Sequence, residues 1–356
     1  DLAPPIATGP VKEIAGRVAV TGAYFAFNVL PTIIFFSSLM AVLYYLGIMQ
    51  RVVAFFSKIM EKFLGTSGAE TLSASANIFV GQTEAPLVVK PYVNDMTMSE
   101  LMVVMVGGFA TVAGGVMAAY VGMLKDYFPD IAGHLISASI MSAPAGIVMA
   151  KLMWPETKEP KTKGGVKISL PKTNVNIIDA AASGAGTGLK LALNVGAMLL
   201  AFIALIAMAN FLIAKFGDLC NLVLGTDWSL SLELLLGYAF APLAWVMGVP
   251  WVDCSTIGTL LGEKMAVNEF VAYFHLTQVL ADAKAGMVPM LQHRSIVIAT
   301  YALCGFANFS SIAIQIGGIG GIAPGRRHDL ARIGLRAMIG GTLAAFMTGT
   351  IAGIFV

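Results

Sequence analysis

Long apolar stretches, each about the length of a membrane-crossing helix, dominate this sequence of 356 residues. A helix needs about 20 mostly apolar residues to cross the hydrocarbon core of a bilayer. Only 12% of the residues are charged, whereas soluble domains have about 25%. The stretches that meet the length requirement are Tyr24–Met49, His134–Trp154, Leu189–Ala214, Ser295–Ala323 and Leu330–Val356. The sequence therefore predicts an all-α polytopic membrane protein embedded in a lipid bilayer, and excludes an ordinary soluble enzyme.

Charge and cysteine usage exclude several other classes. The net charge is only +2, and no basic run is interleaved with aromatic residues, so a nucleic-acid partner is not expected. Cys220, Cys254 and Cys304 are scattered, which fits neither a disulfide framework nor a zinc site. The sequence also contains no nucleotide-binding motif and no metalloprotease motif. We therefore expect no cofactor.

Three further segments have an interrupted or weaker apolar character. Leu101–Leu124 is interrupted by two glycine pairs, Gly107–Gly108 and Gly114–Gly115, and is predicted to be a broken helix, as is 295–323. Leu232–Met247 is short and contains Pro242, so we interpret it as an interfacial arm, with a true span as the alternative. Residues 1–23 are expected to form an amphipathic interfacial segment.

Two regions are too polar to cross a membrane simply and too apolar to be loops. We call Gly65–Val93 the first hairpin and Trp251–Gln278 the second hairpin, because each is predicted to enter the membrane and return on the same side. Non-helical backbone at membrane depth is tolerated only where protein or a watery cavity surrounds it. The two hairpins are therefore the expected position of a functional site.

Loop charges predict the orientation. Lys158, Lys161 and Lys163 lie in the loop 155–173, and Arg326 and Arg327 precede the last span, which places both loops in the cytoplasm. Counting crossings then makes the hairpins enter from opposite faces, as in inverted-repeat transporters. The predicted organisation is a first repeat at 24–130 and a linking span with the basic loop at 131–174. A second repeat follows at 175–323, and a final span at 324–356.

A short sequence match supports the inverted repeat. Gly108–Thr111 reads GFAT after the first hairpin, and Gly305–Asn308 reads GFAN after the second. Helix starts are also marked, because Ser67–Glu70 and Thr97–Glu100 both fit the capping-box pattern. We therefore expect each hairpin to be followed by a helix that breaks at mid-depth.

Glu84 and Glu269 are the candidate binding residues with the clearest physical argument. A carboxylate deep in a membrane protein costs at least a few kcal/mol, so it normally pairs or binds a ligand. The alternative is a hairpin tip that stays wet, or an ion pair with Lys264. The neighbouring polar side chains suit a polar, uncharged solute: Gln82, Thr83, Asn268 and Asn308. Ser310 is expected only to bond back to the preceding helical turn.

An intramembrane serine protease is the alternative from another functional class. Gly65–Gly68 reads GTSG, which matches the Gly-x-Ser-Gly pattern, and His134 would be the base. The capping box already explains Ser67, and His134 is predicted on the opposite side of the membrane. The protein is therefore not expected to be an enzyme.

Three motifs resemble the signatures of concentrative nucleoside transporters. They are Asn77–Leu87 (NIFVGQTEAPL), Lys264–Tyr273 (KMAVNEFVAY) and Cys304–Ile312 (CGFANFSSI). The resemblance runs from about Asn28 to the end of the sequence. Two amino-terminal spans usual in the family have no counterpart, so we expect that residues preceding Asp1 are missing.

The resemblance implies a homotrimer in the bacterial inner membrane that imports nucleosides such as uridine by sodium symport. Gln82, Thr83 and Glu84 would face the nucleobase, with Val116 and Phe306 nearby, and Glu269, Asn308 and Ser311 would hold the ribose hydroxyls. Sodium would bind at Asn77, Val80, Thr111 and Val112, largely through backbone carbonyls. The proton is the alternative coupling ion, with Glu84 or Glu269 as the titrating group.

The orientation can be tested directly. A cysteine replacing Lys163 is expected to react with an impermeant thiol reagent only from the cytoplasm, and one replacing Asp218 only from outside, because of the loop charges. Labelling is measured in right-side-out and inverted vesicles, in a background without native cysteines. Reaction of both positions from the same face would contradict the predicted orientation and the opposite entry of the hairpins.

Overall fold

The computed structural model describes residues 30–163, 174–224 and 230–356, and all regular elements in these ranges are helices. The predicted interfacial segment 1–23 and residues 164–173 of the basic loop lie outside them. Three helical stretches of the described residues are long and apolar enough to cross a membrane: Met98–Leu124, Ile131–Met153 and Pro324–Ile354. A bent pair of helices would make a fourth. The all-α membrane fold is thus confirmed.

The first half of the chain contains a bent pair, the first hairpin, a broken helix and a continuous helix. The bent pair is α1 (Leu30–Tyr45) and α2 (Ile48–Leu64), with an angle of 80° between them. The hairpin contains α3 (Gly68–Asn77), α4 (Ala85–Val88) and α5 (Lys90–Val93). The first broken helix is α6 (Met98–Ala110) and α7 (Gly114–Leu124), and α8 (Ile131–Met153) follows.

The second half repeats this order. It contains α9 (Ile177–Leu224), α10 (Leu232–Val246), the second hairpin α11 (Cys254–Ala266) and α12 (Glu269–Lys284), and the second broken helix α13 (His293–Leu303) and α14 (Phe309–Ile322). The last helix is α15 (Arg327–Ile354), and one-turn 3₁₀ helices lie at Trp251–Asp253 and Pro324–Arg326. The two helices of the second hairpin lie side by side, since His275 Nδ1 is 2.9 Å from both Glu263 carboxylate oxygens.

Both predicted capping boxes are confirmed. Ser67 and Thr97 each accept a hydrogen bond from the amide three residues later, and the backbone amides of both donate to Glu70 and Glu100 in return. The Ser67 hydroxyl also donates to Glu100 Oε1 at 2.7 Å, which ties the start of α3 to the start of α6. The paired caps therefore fix where the first hairpin and the first broken helix begin.

The helix α9 is longer than the predicted span Leu189–Ala214, because it has 48 residues and already begins at Ile177. Its first turns are rich in alanine and glycine, so hydropathy alone does not distinguish them from a loop. They lie against α1 at very short range. A Cβ atom would lie 2.7 Å from Ser37 O at Gly184 and 2.7 Å from Ile34 Cα at Gly188. Small residues at a spacing of four permit such close helix packing in membranes.

We expect Gly188→Ala and Gly186→Ala to have opposite effects on stability. Alanine favours helix over glycine by about 1 kcal/mol at either position. At Gly188 the new methyl group collides with α1, and overpacking typically costs about 1–3 kcal/mol. At Gly186 nothing lies within 4 Å. The melting temperature of each detergent-solubilised variant is measured from the temperature at which the protein stops being monodisperse. Equal melting temperatures for the two variants would contradict the close α1–α9 contact.

Candidate functional site

The two helix breaks meet in the interior of the protein. The Phe306 amide donates a hydrogen bond of 3.3 Å to the carbonyl of Thr111. Gly305 has φ 119°, and a Cβ atom there would lie 2.7 Å from the carbonyl oxygen of Phe109, so both its conformation and its surroundings require glycine. The unwound segment of each repeat therefore binds the unwound segment of the other.

Two asparagines cap helices of the second half: Asn268 caps α12 of the second hairpin, and Asn308 caps α14 of the second broken helix. Asn268 Oδ1 accepts a hydrogen bond from the Val271 amide and Asn308 Oδ1 one from the Ser311 amide, both at 2.9 Å. The Ser310 hydroxyl also donates to Asn308 Oδ1, at 2.7 Å. The expectation that Ser310 bonds back to the preceding turn is thus wrong, because the asparagine cap offers a nearer acceptor. Because each cap uses the Oδ1 atom, the Nδ2 group is the part of each side-chain amide that can donate to other groups.

One cavity lies between both hairpins and both breaks. All eight predicted substrate residues line it: Gln82, Thr83, Glu84, Val116, Glu269, Phe306, Asn308 and Ser311. The remaining lining is mostly small or apolar: Gly81, Ala113, Leu191, Asn268, Phe270, Ser310 and Ile314. The structure thus brings together residues that are far apart in the sequence, such as Gln82 and Ser311, which are separated by 229 positions.

Glu269 is a buried acceptor that has partners of its own. Its carboxylate is hydrogen-bonded by Asn308 Nδ2 at 3.0 Å and by the Tyr120 hydroxyl at 3.3 Å. The Tyr120 ring stacks on Tyr273 with 4.2 Å between centroids, which holds the hydroxyl in place. Lys264, also fully buried, donates to the carbonyl of Ala302 at 2.7 Å. An ionised carboxylate has about four acceptor positions, so Glu269 can accept further hydrogen bonds from a ligand.

Glu84 differs from Glu269 in its surroundings. It lines the same cavity but is exposed, which corresponds to the alternative of a hairpin tip that stays wet. The difference follows from local structure. Glu269 is the first residue of the long helix α12. Glu84 instead lies in a turn, in which its backbone amide donates to the Gly81 carbonyl at 3.1 Å. The two acids are therefore not equivalent, although the motifs suggest a matched pair.

Gln82 belongs to a chain of hydrogen bonds that connects three different elements of the protein. Its Nε2 group donates to Ser311 Oγ at 3.2 Å, and its Oε1 atom accepts from Gln315 Nε2 at 3.0 Å. Gln315 Nε2 also donates to the carbonyl of Met105 at 3.1 Å. The chain links the first hairpin to both broken helices.

Tyr120 and Gln315 were missed by the sequence reasoning. Both lie in apolar helices and are fully buried. A signal was available, since a polar side chain within a membrane helix normally has a partner inside the protein. What the sequence does not contain is the identity of that partner, because Tyr120 and Glu269 are 149 positions apart.

The predicted sodium residues lie where the first hairpin approaches the first broken helix. The Gly114 amide donates to the carbonyl of Phe79 at 3.1 Å. Asn77 is fully buried, and its Oδ1 atom has no hydrogen-bond donor, whereas its Nδ2 group donates to Ser73 O at 3.1 Å. The Thr111 hydroxyl donates to Gly107 O at 2.8 Å and keeps its oxygen lone pairs.

These groups fit a monovalent hard cation. Within the described ranges no three His, Cys, Asp or Glu side chains are grouped so that they could hold a metal ion. A buried amide oxygen without a donor beside unwound backbone carbonyls is instead the type of ligand set with which transporters bind sodium. The residue chemistry therefore agrees with sodium.

The serine-protease alternative is excluded by geometry. Glu70, in the capping box of Ser67, forms an ion pair of 2.5 Å with Lys151 near the end of α8. His134 lies near the beginning of α8 and is 3.3 Å from the Tyr301 hydroxyl. At 1.5 Å per residue, about 25 Å of helix separates Lys151 from His134. Ser67 and His134 therefore cannot form a catalytic pair.

Two family models match the chain. The model described as "Na+ dependent nucleoside transporter C-terminus" covers residues 134–353, and the model described as "Nucleoside recognition" covers residues 26–127. Together they include both hairpins, both broken helices and every residue that lines the cavity.

Relatives and solved structures agree with these models. An uncharacterized transporter of Haemophilus influenzae is 49% identical, over 94% of this chain and 78% of its own length. The rat sodium/nucleoside cotransporter 1 is 44% identical, over 93% of this chain and 51% of its own. The structure of CNTnw in an inward-facing substrate-bound state has a TM-score of 0.84 and 49% identity, and the match covers 93% of this chain and 76% of that one. The chain belongs to the concentrative nucleoside transporter family and is not an enzyme.

Proposed function

We propose that this protein is a secondary active symporter that imports nucleosides across the bacterial plasma membrane, driven by the sodium gradient. The observation that carries the proposal is the cavity between the two hairpins and the two helix breaks, with all eight predicted substrate residues in its wall. A single site between two repeated units favours alternating access over a channel, which needs a continuous pore. The basic loop 155–173 is proposed to face the cytoplasm.

The ribose is proposed to bind at Glu269, Asn308 and Ser311. Glu269 is 5% exposed, so a ligand hydroxyl would replace little water there. A hydrogen bond from a ribose hydroxyl to a buried carboxylate is charge-assisted and is stronger than one between neutral groups. Asn308 already donates to Glu269 and would hold the carboxylate in position.

The nucleobase is proposed to lie against the first hairpin. Gln82, Thr83 and Glu84 supply an amide, a hydroxyl and a carboxylate, which can bond the polar edge of a base. Val116 and Phe306 supply apolar surface for its faces. In this proposal the first hairpin recognises the base, and Glu269 with the second broken helix recognises the sugar.

Sodium is proposed to bind at Asn77, Val80, Thr111 and Val112. The support is the buried Asn77 oxygen without a donor, together with backbone carbonyls in the unwound segment. When bound, the ion would supply a positive charge beside the first hairpin tip, and Asn77 and Thr111 would orient their oxygens towards it. A proton carried by Glu84 or Glu269 is the competing proposal.

The assembly is proposed to be a homotrimer. The long helix α9 and the first helix expose large apolar side chains, including Phe35, Leu193, Leu200 and Phe211. In a membrane such surfaces face lipid or another subunit. Each subunit is proposed to carry its own site, between the hairpins and the helix breaks of one chain.

Glu269→Gln is expected to fold but to lose most uridine uptake. The amide replaces one acceptor by a donor, and losing charged hydrogen bonds removes about 1.5–3 kcal/mol, or one to two decades of affinity. Uptake into proteoliposomes measures the effect, with the exposed Glu159→Gln as the matched control. A smaller loss is expected for 2′,3′-dideoxyuridine, which lacks the hydroxyls. Equal losses for both substrates would contradict the ribose assignment.

Thr111→Ala is expected to raise the sodium concentration for half-maximal uptake several-fold, because one oxygen ligand is lost. Nucleoside affinity at saturating sodium should change less. Thr342→Ala is the control, since Thr342 is also buried and its hydroxyl also donates to the preceding turn, in α15.

The coupling ion can be tested on the same proteoliposomes. Replacing sodium by choline at constant pH should abolish accumulation, and a pH gradient without sodium should not restore it. Accumulation that follows the pH gradient in choline would instead support the proton.

A further inference from the structure

Gln315 lies behind the cavity wall and is the end of the hydrogen-bond chain that holds Gln82. It is fully buried in α14 and is not one of the residues that line the cavity. Its Nε2 group donates to Met105 O at 3.1 Å and to Gln82 Oε1 at 3.0 Å. A Cβ atom at Gly108 would lie 2.8 Å from Gln315 Nε2 and 3.0 Å from Gln82 Cβ, so glycine makes room for this amide pair.

The backbone sets the direction of the whole chain. A main-chain carbonyl can only accept hydrogen bonds, so the Gln315 atom that faces Met105 must be the amino group. That group directs its second hydrogen at Gln82, so the Gln82 atom that faces Gln315 must be the carbonyl oxygen. The Gln82 amino group is therefore turned to the other side, where it donates to Ser311 Oγ at 3.2 Å.

The amino group of Gln82 has two hydrogens, and Ser311 takes one of them. The second is available to a ligand because Gln82 lines the cavity, whereas the Gln82 oxygen is directed at Gln315, which is not part of the cavity wall. At this position the site thus offers a donor and withholds an acceptor. A base that presents a carbonyl oxygen satisfies this donor, and a base that presents an amino group meets it with another donor.

We propose that Gln315 is a positioning residue that sets the nucleobase specificity of the transporter by fixing the Gln82 amide with its amino group towards the substrate. The favoured class is nucleosides with a carbonyl at the contacted edge, such as uridine and inosine, over their amino counterparts cytidine and adenosine. This inference rests on the proposed function, in which Gln82 contacts the base.

The test compares uptake efficiency, kcat/KM, for uridine and cytidine and for inosine and adenosine in proteoliposomes. One neutral hydrogen bond corresponds to a preference of about two- to tenfold for the carbonyl member of each pair. In Gln315→Met the amide loses its anchor and can turn, so both ratios should approach one. In Gln315→Glu the carboxylate accepts from Gln82, which turns the Gln82 oxygen to the cavity, so the ratios should fall below one. Gln278→Met, at an exposed position of α12, is the matched control.

The outcomes separate this inference from the proposed function. A Gln315→Met protein that transports all four nucleosides with unchanged uridine/cytidine and inosine/adenosine ratios would overturn the positioning role, even if its uptake of both members of each pair falls equally. A wild-type protein that transports nucleosides but prefers cytidine and adenosine would overturn the inferred polarity, even if neither variant folds. A wild-type protein that transports no nucleoside would overturn the proposed function and this inference together.

Discussion

Hydrogen-bonding groups that are removed from water must find partners inside the protein, and this constraint shapes the centre of the molecule. Two broken helices leave amides and carbonyls unpaired at the same place, and each break supplies partners for the other. The Phe306 amide donates to the Thr111 carbonyl, Asn268 caps α12, and Asn308 caps α14. Phe306, Asn268 and Asn308 also line the cavity. The site therefore lies where the backbone cannot form all of its hydrogen bonds within one helix.

Close contact between helices is the second requirement, and glycine meets it at several crossings. Gly305 lies against the carbonyls of α6, and a Cβ atom at Gly258 would lie 2.6 Å from Gly237 O where α11 packs on α10. Gly340 and Gly341 likewise bring α15 against Val106 and Phe109 of α6. Short distances between backbones let one repeat supply hydrogen-bond partners to the other. The glycines that permit close packing therefore also help to pair the buried polar groups.

The sequence predicts the parts of this structure that depend on local chemistry. Polar residues within apolar runs indicated both hairpins and both breaks, and the motifs at Asn77–Leu87, Lys264–Tyr273 and Cys304–Ile312 contain seven of the eight predicted substrate residues that line the cavity. It could not predict properties that depend on distant neighbours. The early start of α9 depends on contact with α1, and the exposure of Glu84 depends on how the first hairpin turns. Gln315 gains its role only from Met105 and Gln82, which lie on other elements.

The hydrogen bond between the Phe306 amide and the Thr111 carbonyl joins a wall residue of the nucleoside cavity to a proposed sodium ligand. If nucleoside and sodium bind as proposed, they would lie at opposite ends of this contact, and ordering of one break by its ligand would also order the other. Thermodynamic linkage would then require symmetry: the factor by which sodium raised the affinity for nucleoside would equal the factor by which nucleoside raised the affinity for sodium. Such coupling would discourage each ligand from crossing alone, and the sodium gradient would not be dissipated without nucleoside transport.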